Sequence, residues 1–424
     1  MVMLRNLPTR RRLSGFTLIE LLVALLLSML LATVLLIMQG SLGKQTMRNS
    51  DVGVRDVQTR AAIDMITRDL SSGGFLFGGN QLNCNVLITY NSAATGYLSG
   101  YFPRHMVDAI AASNSKVMPF ANTPTLTLNY PTSAATPSDV LVMTGSADST
   151  RFASVSPANQ LPRVSSVAGA APSLNGILPM YSTVGMKNPS ASLVAGDKAA
   201  VALQVPINGT TACMRAPTSV LGATSITSSA GVSMPSTFYA GFATALTNFG
   251  YANPPSDATI LSGKSNVADL GYKSDQKQVT TVYYVDNNGG SYPRLMRATY
   301  NLIDDTPISA PAPVAAGVMS LQVRFGIDTT GTGAVAIYLP ASAMTAAQYD
   351  SVRSVAVAIV SRSLADDPDP TYTWRGTATT PGTPAQVTLS GTAYGFTDVP
   401  VPATMTKRRY ISQTTEIAVR NLLW

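Results

Sequence analysis

The feature that most constrains this chain is a long apolar run near its N-terminus. Residues 16–38 are apolar except for Thr17, Glu20, Ser28 and Thr33. As an α-helix, a run of this length would extend about 34 Å, enough to cross the hydrocarbon core of a bilayer, which is about 30 Å thick. The run therefore predicts one membrane-spanning helix with a single carboxylate inside it.

The charges before this run predict its orientation. Residues 1–15 contain Arg5, Arg10, Arg11 and Arg12 and no acidic residue, which places the N-terminus in the cytoplasm and the rest of the chain outside it. These arginines carry most of the formal net charge of +7, because without them 25 basic residues stand against 22 acidic ones. The sequence therefore shows no broad basic surface of the kind that indicates nucleic-acid binding.

Three interpretations of the run compete on its residues alone. A secretory signal would have a shorter apolar core, followed closely by a small-residue cleavage site. A plain transmembrane anchor fits the length but leaves Glu20 unexplained, because an unpaired carboxylate there costs about 2–3 kcal/mol or more. Cleavage before the run, between Gly15 and Phe16, would create an ammonium group one helical turn from Glu20. This third interpretation gives the carboxylate a cation, in its own chain or in a neighbour.

Helical character continues beyond the run. Gly40 and Gly43 each weaken a helix by about 1 kcal/mol relative to alanine, which predicts a bend or a melted turn. Residues 44–70 then carry two apolar stripes: Met47, Val54, Val57, Ala61 and Met65 on one side, and Val52, Ile63, Ile66 and Leu70 on the other. Such a helix either faces its own domain and a neighbour at once or is buried all round in one domain. The sequence Ser-Ser-Gly-Gly at 71–74 predicts its end.

The rest of the chain has a loop-rich β pattern. Only 12% of all residues are charged, where about a quarter is usual. Residues 85–270 are rich in small and turn-forming residues, and 278–421 show clearer strand patterns. We predict strands at 86–90, 138–144, 197–205, 278–285, 294–302, 314–327, 351–363 and 408–420, with a hairpin joining 278–285 to 294–302. We predict long loops at 91–100, 154–175 and 218–236.

The two cysteines, Cys84 and Cys213, are more than a hundred residues apart. In an exported domain they favour a disulfide, which would stabilise the fold by at most about 5 kcal/mol in the chain-entropy description. The alternative is two unrelated buried thiols.

No catalytic constellation is recognisable in the sequence. The one histidine, His105, is more typical of a surface or core residue than of a metal ligand, and there is no H-E-x-x-H, G-x-S-x-G or P-loop motif. The acidic segment 366–370 is interpreted as a solvated turn rather than a cation site, because its prolines stiffen it. We expect no enzyme activity, no metal and no cofactor.

The N-terminal motif resembles a known processing signal. Gly-Phe-Thr-Leu-Ile-Glu at 15–20, between a basic leader and an apolar run, is similar to the type III signal of type IV pilins and type II secretion pseudopilins. The resemblance implies that a prepilin peptidase cuts between Gly15 and Phe16 and methylates the new N-terminus, so that Phe16 becomes N-methylphenylalanine. It also implies that Glu20 pairs with the N-terminus of a neighbouring subunit during assembly.

The C-terminal part resembles the minor pilin family PilW. The similarity rests on Val-Tyr-Tyr-Val at 282–285, on 317–328 and on Val-Arg-Asn at 419–421. PilW-like sequences often carry further acidic residues after the Gly-Ile-Asp segment, where this chain has only Asp328 among Thr and Gly. A calcium site is therefore not expected there, because calcium favours several oxygen ligands.

Together these features predict an α+β fold. A long N-terminal pilin helix, its first half transmembrane, would pack on an antiparallel β-sheet that carries large loop-rich insertions. The expected segments are a cytoplasmic leader at 1–15, a transmembrane and assembly helix at 16–38, its periplasmic continuation at 39–71 and an exported domain at 72–424.

The expected function is that of a minor pilin in the assembly or initiation of a type IV pilus, near its tip. The expected partners are other minor and major pilins, prepilin peptidase, the inner membrane before assembly and a large tip adhesin at the cell surface, without direct contact with nucleic acid. One alternative is a larger pseudopilin of a type II secretion system. A membrane-anchored periplasmic enzyme is disfavoured by the lack of catalytic groups.

Overall fold

The computed structural model describes a long N-terminal helix, most of the C-terminal part of the chain and separate strands between them. The described residues are 17–72, 86–91, 96–97, 107–111, 117–118, 126–127, 138–146, 177–179, 199–207, 210–217, 226–227, 231–233, 266–272, 278–286, 292–301, 307–345, 348, 351–368, 371–374, 385–389 and 392–418. Outside them lie Gly15, Phe16, Cys84, His105 and the predicted loop at 154–175.

Helix α1 extends over Leu18–Ser72 and contains 55 residues, which corresponds to about 80 Å. It is continuous through Gly40 and Gly43, so the predicted melted turn is wrong for this structure, and the bend stays a prediction. Extending a formed helix adds one hydrogen bond for each residue, and this gain offsets the conformational cost of two separate glycines. The observed end at Ser72 agrees with the end predicted at 71–74.

Within the described residues the chain forms 21 strands, numbered in chain order. They are β1 (Val86–Asn91), β2 (Gly96–Tyr97), β3 (Val107–Ala111), β4 (Val117–Met118), β5 (Leu126–Thr127), β6 (Asp139–Ser146), β7 (Ile177–Pro179), β8 (Ala199–Ile207), β9 (Thr210–Pro217), β10 (Ile226–Thr227), β11 (Gly231–Ser233), β12 (Asn266–Tyr272), β13 (Gln278–Asp286), β14 (Arg294–Asn301), β15 (Ala312–Ala316), β16 (Val318–Ile327), β17 (Ile337–Leu339), β18 (Val352–Arg362), β19 (Gln386–Val387), β20 (Val399–Pro400) and β21 (Tyr410–Ala418). Short 3-10 helices lie at Ala341–Ala343, Thr392–Tyr394 and Ala403–Met405.

Two of the sheets pack against α1. We call the sheet with strand order β15-β14-β13-β6-β3 the central sheet and the sheet β17-β16-β18-β21 the C-terminal sheet, and the two together the head. Further groups are β12-β8-β9-β1-β2, β10-β11-β7, β19-β20 and β4-β5. The head strands pair antiparallel, whereas β1 and β9 pair parallel. The α+β prediction is confirmed, although the helix lies on two sheets and not on one.

The predicted strands are present, but one is divided. The segment 314–327 was predicted as a single strand region, and Gly317 separates it into β15 of the central sheet and β16 of the C-terminal sheet. Gly317 has a φ of 76°, a conformation that favours glycine, and a Cβ at this position would collide with the carbonyl oxygen of Arg362. The predicted loops at 91–100 and 218–236 contain the short strands β2, β10 and β11. The predicted hairpin is confirmed by direct pairing of β13 with β14.

One hydrophobic core joins α1 to both sheets. The helix contributes Ala62, Ile66 and Leu70, each with 0% of its surface exposed. The sheets contribute Leu141, Met143, Tyr283, Val285, Leu295, Ala315, Val318, Leu321, Val323, Phe325, Val352, Val355, Val357, Ile359 and Ile417. Full burial of a side chain such as Leu or Ile stabilises a fold by about 1.5–3 kcal/mol. The C-terminal end of α1 is therefore a structural part of the head.

The two sheets meet where β6 begins beside β16. β17 pairs with β16 only from Phe325 to Ile327. Before that point, Ser138 Oγ accepts the backbone N–H of Leu321 at 3.3 Å, and Asp139 Oδ2 accepts that of Val323 at 2.8 Å. Side chains of one sheet thus satisfy backbone donors at the edge of the other, where a strand would otherwise be needed.

The other face of the C-terminal sheet is covered by the described residues within 363–407, which we call the covering segment. The covering segment buries Val387, Leu389, Val399 and Val401 against Met319, Ala358, Val360 and Tyr410 of the sheet, with Trp374 and Phe396 packed at the margin. The C-terminal sheet is therefore enclosed between α1 and the covering segment.

Candidate functional site

The N-terminal end of α1 is closed by reciprocal hydrogen bonds between Thr17 and Glu20. The Thr17 hydroxyl accepts the backbone N–H of Glu20 at 3.3 Å. In return, one Glu20 carboxylate oxygen accepts the Thr17 backbone N–H at 3.0 Å and the Thr17 hydroxyl proton at 3.1 Å. This arrangement is a capping box. We did not predict the role of Thr17, although a Thr three residues before a Glu is the sequence signal for it.

The first part of α1 has no packing partner within the described chain. Every residue at 17–47 is exposed, including large apolar side chains such as Leu18, 76% exposed, and Met29, 75% exposed. By length and composition α1 can cross a membrane. We call residues 18–47 the free half of α1 and residues 48–72 the packed half. Such a continuous apolar surface requires lipid or other helices around it.

The packed half shows two faces. The face toward the head is buried and contains Ala62, Ile66 and Leu70. The face away from the head is exposed and carries the apolar side chains Val54, Val57, Ala61 and Met65, in line with Met47 at the end of the free half. We call these five residues the outer stripe. Val57 is 66% exposed and Val54 is 53% exposed. Within the subunit the helix is therefore not buried all round, and one apolar stripe is left uncovered, as the other interpretation predicted.

Asp367 fixes the beginning of the packed half to the C-terminal sheet. Its carboxylate accepts a hydrogen bond from Arg48 of α1 at 2.7 Å and one from Arg409, and its side chain has no exposed surface. Arg409 also lies over the ring of Tyr372, 4.6 Å from the centroid. The prediction of a solvated turn at 366–370 is wrong for Asp367, because two guanidinium groups compensate the burial of its charge.

Asp69 makes the corresponding contact near the end of α1. Its carboxylate accepts the Tyr283 hydroxyl proton at 2.7 Å and the Arg297 Nε–H at 2.9 Å. Burial, and then the neighbouring Asp69 charge, raise the pKa of Tyr283 well above its usual range, so its hydroxyl stays a donor. The helix is therefore attached to the central sheet at one end of the packed half and to the C-terminal sheet at the other.

Further polar contacts lie between these two attachments. Asp56 accepts a hydrogen bond from Gln413 Nε2 at 2.7 Å. The Thr59 and Ser361 hydroxyls lie 3.2 Å apart in a buried position, and Arg55 Nη1 donates to the Arg409 carbonyl at 3.0 Å. We predicted none of these contacts, because their members are more than 300 residues apart. The sequence contained one signal for these contacts. Polar residues occur on the same face of α1 as the apolar residues that were predicted to pack against the domain.

Asp328, the residue considered for calcium, is held by the backbone of the loop that follows it. Its carboxylate accepts the N–H groups of Gly333 at 2.7 Å, Thr330 at 3.0 Å and Gly331 at 2.7 Å, and Arg353 lies 3.6 Å away. These hydrogen bonds, that of Gly333 first, lower the pKa of Asp328 to about 2. A carboxylate occupied by such donors lacks the free oxygens that calcium needs, and the described residues contain no cluster of three acidic, His or Cys side chains placed for a metal.

Asp139, at the junction of the two sheets, behaves in the opposite way. Burial raises the pKa of its carboxyl to about 6, although the Val323 N–H and the Arg324 charge act against this shift. Arg324 Nη1 lies 3.4 Å from the carboxylate. Asp139 is therefore a carboxyl of the described head that changes its protonation in mildly acidic conditions.

The proposed disulfide involves one residue outside the described chain. Cys84 precedes β1, and Cys213 lies in β9. β1 begins two residues after Cys84 and pairs with β9, so that Leu87 stands opposite Cys213. The bond between the two cysteines stays a prediction.

Two family profiles match the chain. The profile described as Type IV Pilus-assembly protein W, PilW, matches residues 282–421, and the Prokaryotic N-terminal methylation motif matches residues 10–36. No curated protein matches. Among solved structures, a type IV-like pilin from Thermus thermophilus is 17% identical over 35% of this chain and 67% of that chain, with a TM-score of 0.19, which does not establish a shared fold.

The two profile matches fall on the two parts that α1 connects. The methylation motif includes Gly15, Phe16 and the Thr17–Glu20 capping box. The PilW match includes the whole C-terminal sheet and its covering segment. Both resemblances noted in the sequence are confirmed over these two ranges, and they indicate a general role in pilus assembly. The chain therefore carries a PilW family domain at 282–421 and an N-terminal methylation motif at 10–36.

Proposed function

We propose that this subunit is a minor pilin that enters a type IV pilus through α1. The observation that carries the proposal is the division of the helix surface: the head covers only one face of the packed half. The free half and the outer stripe together form an apolar surface along the helix. Lipid covers the free half before assembly, and neighbouring pilin helices cover this surface afterwards, where van der Waals packing replaces contact with lipid.

Processing is the first step of the proposed function. Prepilin peptidase cleaves between Gly15 and Phe16, and the new N-terminus is methylated. We expect Gly15→Ala to leave full-length precursor on a gel, and Gly40→Ala, a matched glycine change in the free half, to be processed normally. Mass measurement of the mature N-terminus should give methylated Phe16. Unchanged mobility of Gly15→Ala would remove the processing claim.

Glu20 is proposed to pair with the N-terminal ammonium of a neighbouring subunit. A carboxylate has about four acceptor positions, so Glu20 can bind an ammonium while its capping box with Thr17 stays intact. We expect Glu20→Ala to be cleaved normally but to be nearly absent from sheared pili. Glu20→Gln separates the two roles, because Gln also serves in a capping box but carries no charge. Piliation by Glu20→Gln at the level of the unaltered chain would contradict the ion-pair role.

The proposed partners follow from this route. They are prepilin peptidase and the inner membrane before assembly, then other minor and major pilins, with a position near the tip, a tip adhesin as neighbour and exposure at the cell surface. The type II pseudopilin alternative shares the N-terminal motif, whereas the match over 282–421 favours the pilus. Copurification of the chain with sheared pili, at a ratio far below that of the major subunit, tests the assignment. Recovery only in the membrane fraction would argue against it.

We also propose that Cys84 and Cys213 form a disulfide in the exported domain. The support is the oxidising compartment outside the inner membrane. We expect faster migration of the unreduced chain on a gel, lost in Cys84→Ser and in Cys213→Ser. Two free thiols in the folded, unreduced chain would rule it out.

A further inference from the structure

Arg362, the last residue of β18, is a buried cation that forms no ion pair with a carboxylate among the described residues, although the Asp366 charge acts on it from a distance. Only 4% of its surface is exposed. Its Nη1 donates to the thioether sulfur of Met405, a weak acceptor, and within the part of the chain that the structure describes its Nε–H has no hydrogen-bond partner. The guanidinium group is therefore largely removed from water, and few hydrogen bonds within the protein replace those that it loses.

The carboxylates nearest in the chain are used by other arginines. Asp366 pairs with Arg408 at 3.2 Å, and Asp367 lies between Arg48 and Arg409. Burial, and then the charge of Arg408, lower the pKa of the Arg362 guanidinium, but an arginine stays protonated in proteins. A buried charge left unpaired costs several kcal/mol, so the native site requires an acceptor.

A second buried donor lies on the same face of the C-terminal sheet. Tyr410 stands opposite Arg362 in the pairing of β18 with β21, and the Trp374 ring lies 5.3 Å from the Tyr410 ring. The Trp374 indole N–H is also buried, and it lacks a partner among the described residues. The Tyr410 hydroxyl donates to the Met405 carbonyl at 2.8 Å. Indole and guanidinium groups are donors only, so neither can satisfy the other.

We propose that a small inorganic anion binds beneath the covering segment, between Arg362 and Trp374. A water molecule accepts two hydrogen bonds but must also place its own two protons, and it leaves the charge uncompensated. An anion accepts from both donors and neutralises the guanidinium. The arginines near this site outnumber the aspartates, and the resulting positive potential also favours an anion. Chloride is the natural probe, because it is a small monatomic anion.

The single tryptophan of the covering segment gives a direct readout. The chain has two tryptophans, Trp374 and Trp424, so Trp424→Phe leaves Trp374 as the only indole. The full chain in neutral detergent is titrated with sodium chloride, and sodium gluconate, whose anion is bulky, keeps the ionic strength constant. We expect a saturable change in Trp374 emission, and a saturable rise in the thermal midpoint of about 2–4 °C by linkage. A linear or absent response would overturn the proposal.

Two arginine variants locate the effect. In Arg362→Met the chloride dependence should disappear, and at low chloride this variant should be at least as stable as the unaltered chain, because a buried charge has been removed. Arg294→Met, which breaks an exposed ion pair with Asp286, should keep the full chloride dependence. A saturable response that persists in Arg362→Met would also overturn the proposal. If Arg362→Met does not fold, the emission titration of the Trp424→Phe chain decides alone.

Discussion

The two halves of α1 have the same backbone conformation but different sources of stability. The packed half buries Ala62, Ile66 and Leu70 in the head core and makes charged contacts through Arg48 and Asp69. The free half is exposed at 17–47 and makes no such contact within the described chain. One helix thus serves its own subunit at one end and leaves the other end for lipid or other subunits. Substitutions in the two halves should therefore separate stability from assembly.

The strongest test of this comparison is a core truncation in the packed half. We expect Ile66→Ala to lower the free energy of unfolding of the head by about 2–5 kcal/mol, because it opens a cavity between α1 and both sheets. Leu36→Ala, an equivalent truncation in the free half, should change it by less than about 0.5 kcal/mol. Urea unfolding of the full chain in detergent, followed by near-ultraviolet circular dichroism, measures both. Equal losses would mean that the free half also supports the head.

A pH series sharpens the comparison, because the free half contains only two titratable side chains, Glu20 and Lys44. The pKa of Asp139 is raised to about 6, so its contribution is present below its ordinary pKa of about 4 and is lost as the pH rises through 6. We expect the unfolding free energy to fall by about 2–3 kcal/mol between pH 4 and 7, and Asp139→Asn to remove most of that slope. Persistence of the slope in Asp139→Asn would assign it to another group.

Asp328 should lower the unfolding free energy of the head at the acidic end of the same pH series. Its pKa is lowered to about 2, so its stabilisation is present above its ordinary pKa and is lost as the pH falls toward 2. The head should therefore be most stable near pH 4, where the two effects balance.

The attachment at Asp367 should have a smaller effect than the core. We expect Asp367→Asn to lower the unfolding free energy by about 1–3 kcal/mol, because the carboxylate is buried but Arg48 and Arg409 are partly exposed and retain water. Asp366→Asn removes a more exposed carboxylate and should cost less than about 1 kcal/mol. If both variants behaved alike, the attachment of the packed half would not depend on Asp367.

The outer stripe should show the smallest effect on stability and a clear effect on assembly. Val57 is 66% exposed, so Val57→Ser should change the unfolding free energy by less than about 0.5 kcal/mol. If neighbouring helices cover the stripe, the amount of this variant in sheared pili should fall at equal expression. Gln58→Ser, at the adjacent position, is the matched control. Normal recovery of Val57→Ser would mean that the stripe is not an assembly surface.

The parts of the fold that sequence reasoning predicted are those with local signals. The apolar run, the two stripes of α1 and the strands of the hairpin each follow a period within one element. The division of 314–327 was missed because its cause, the approach of Gly317 to Arg362, exists only after β16 and β18 pair. The second sheet under α1 was missed for the same reason, since no local pattern reports which strands share a sheet.

The candidate site was predicted to a similar extent: its local motif was recognised, and its long-range contacts were not. Gly15, Phe16 and Glu20 belong to one contiguous motif, and a motif can be recognised without the fold. The partners of Arg48, Asp69 and Thr59 could not be predicted, because each lies more than 200 residues away. Burial also reversed the expectation for Asp367: an acidic, proline-rich segment is typical of a solvated turn, and only the two converging arginines make the buried position favourable.

The shared core of Ile66 and Ile417 has a consequence for export. In the proposed export route the packed half leaves the membrane early, but its partner strand β21 lies about 350 residues later in the chain. If translocation keeps pace with synthesis at about 5–20 residues per second, the interval is on the order of 20–70 s. Throughout that time Ile66 and Leu70 lack their native partners in β21. The other strands of the head have also not all been delivered. Delivery of the subunit therefore depends on a holding factor outside the membrane, or on a delay in aggregation longer than this interval.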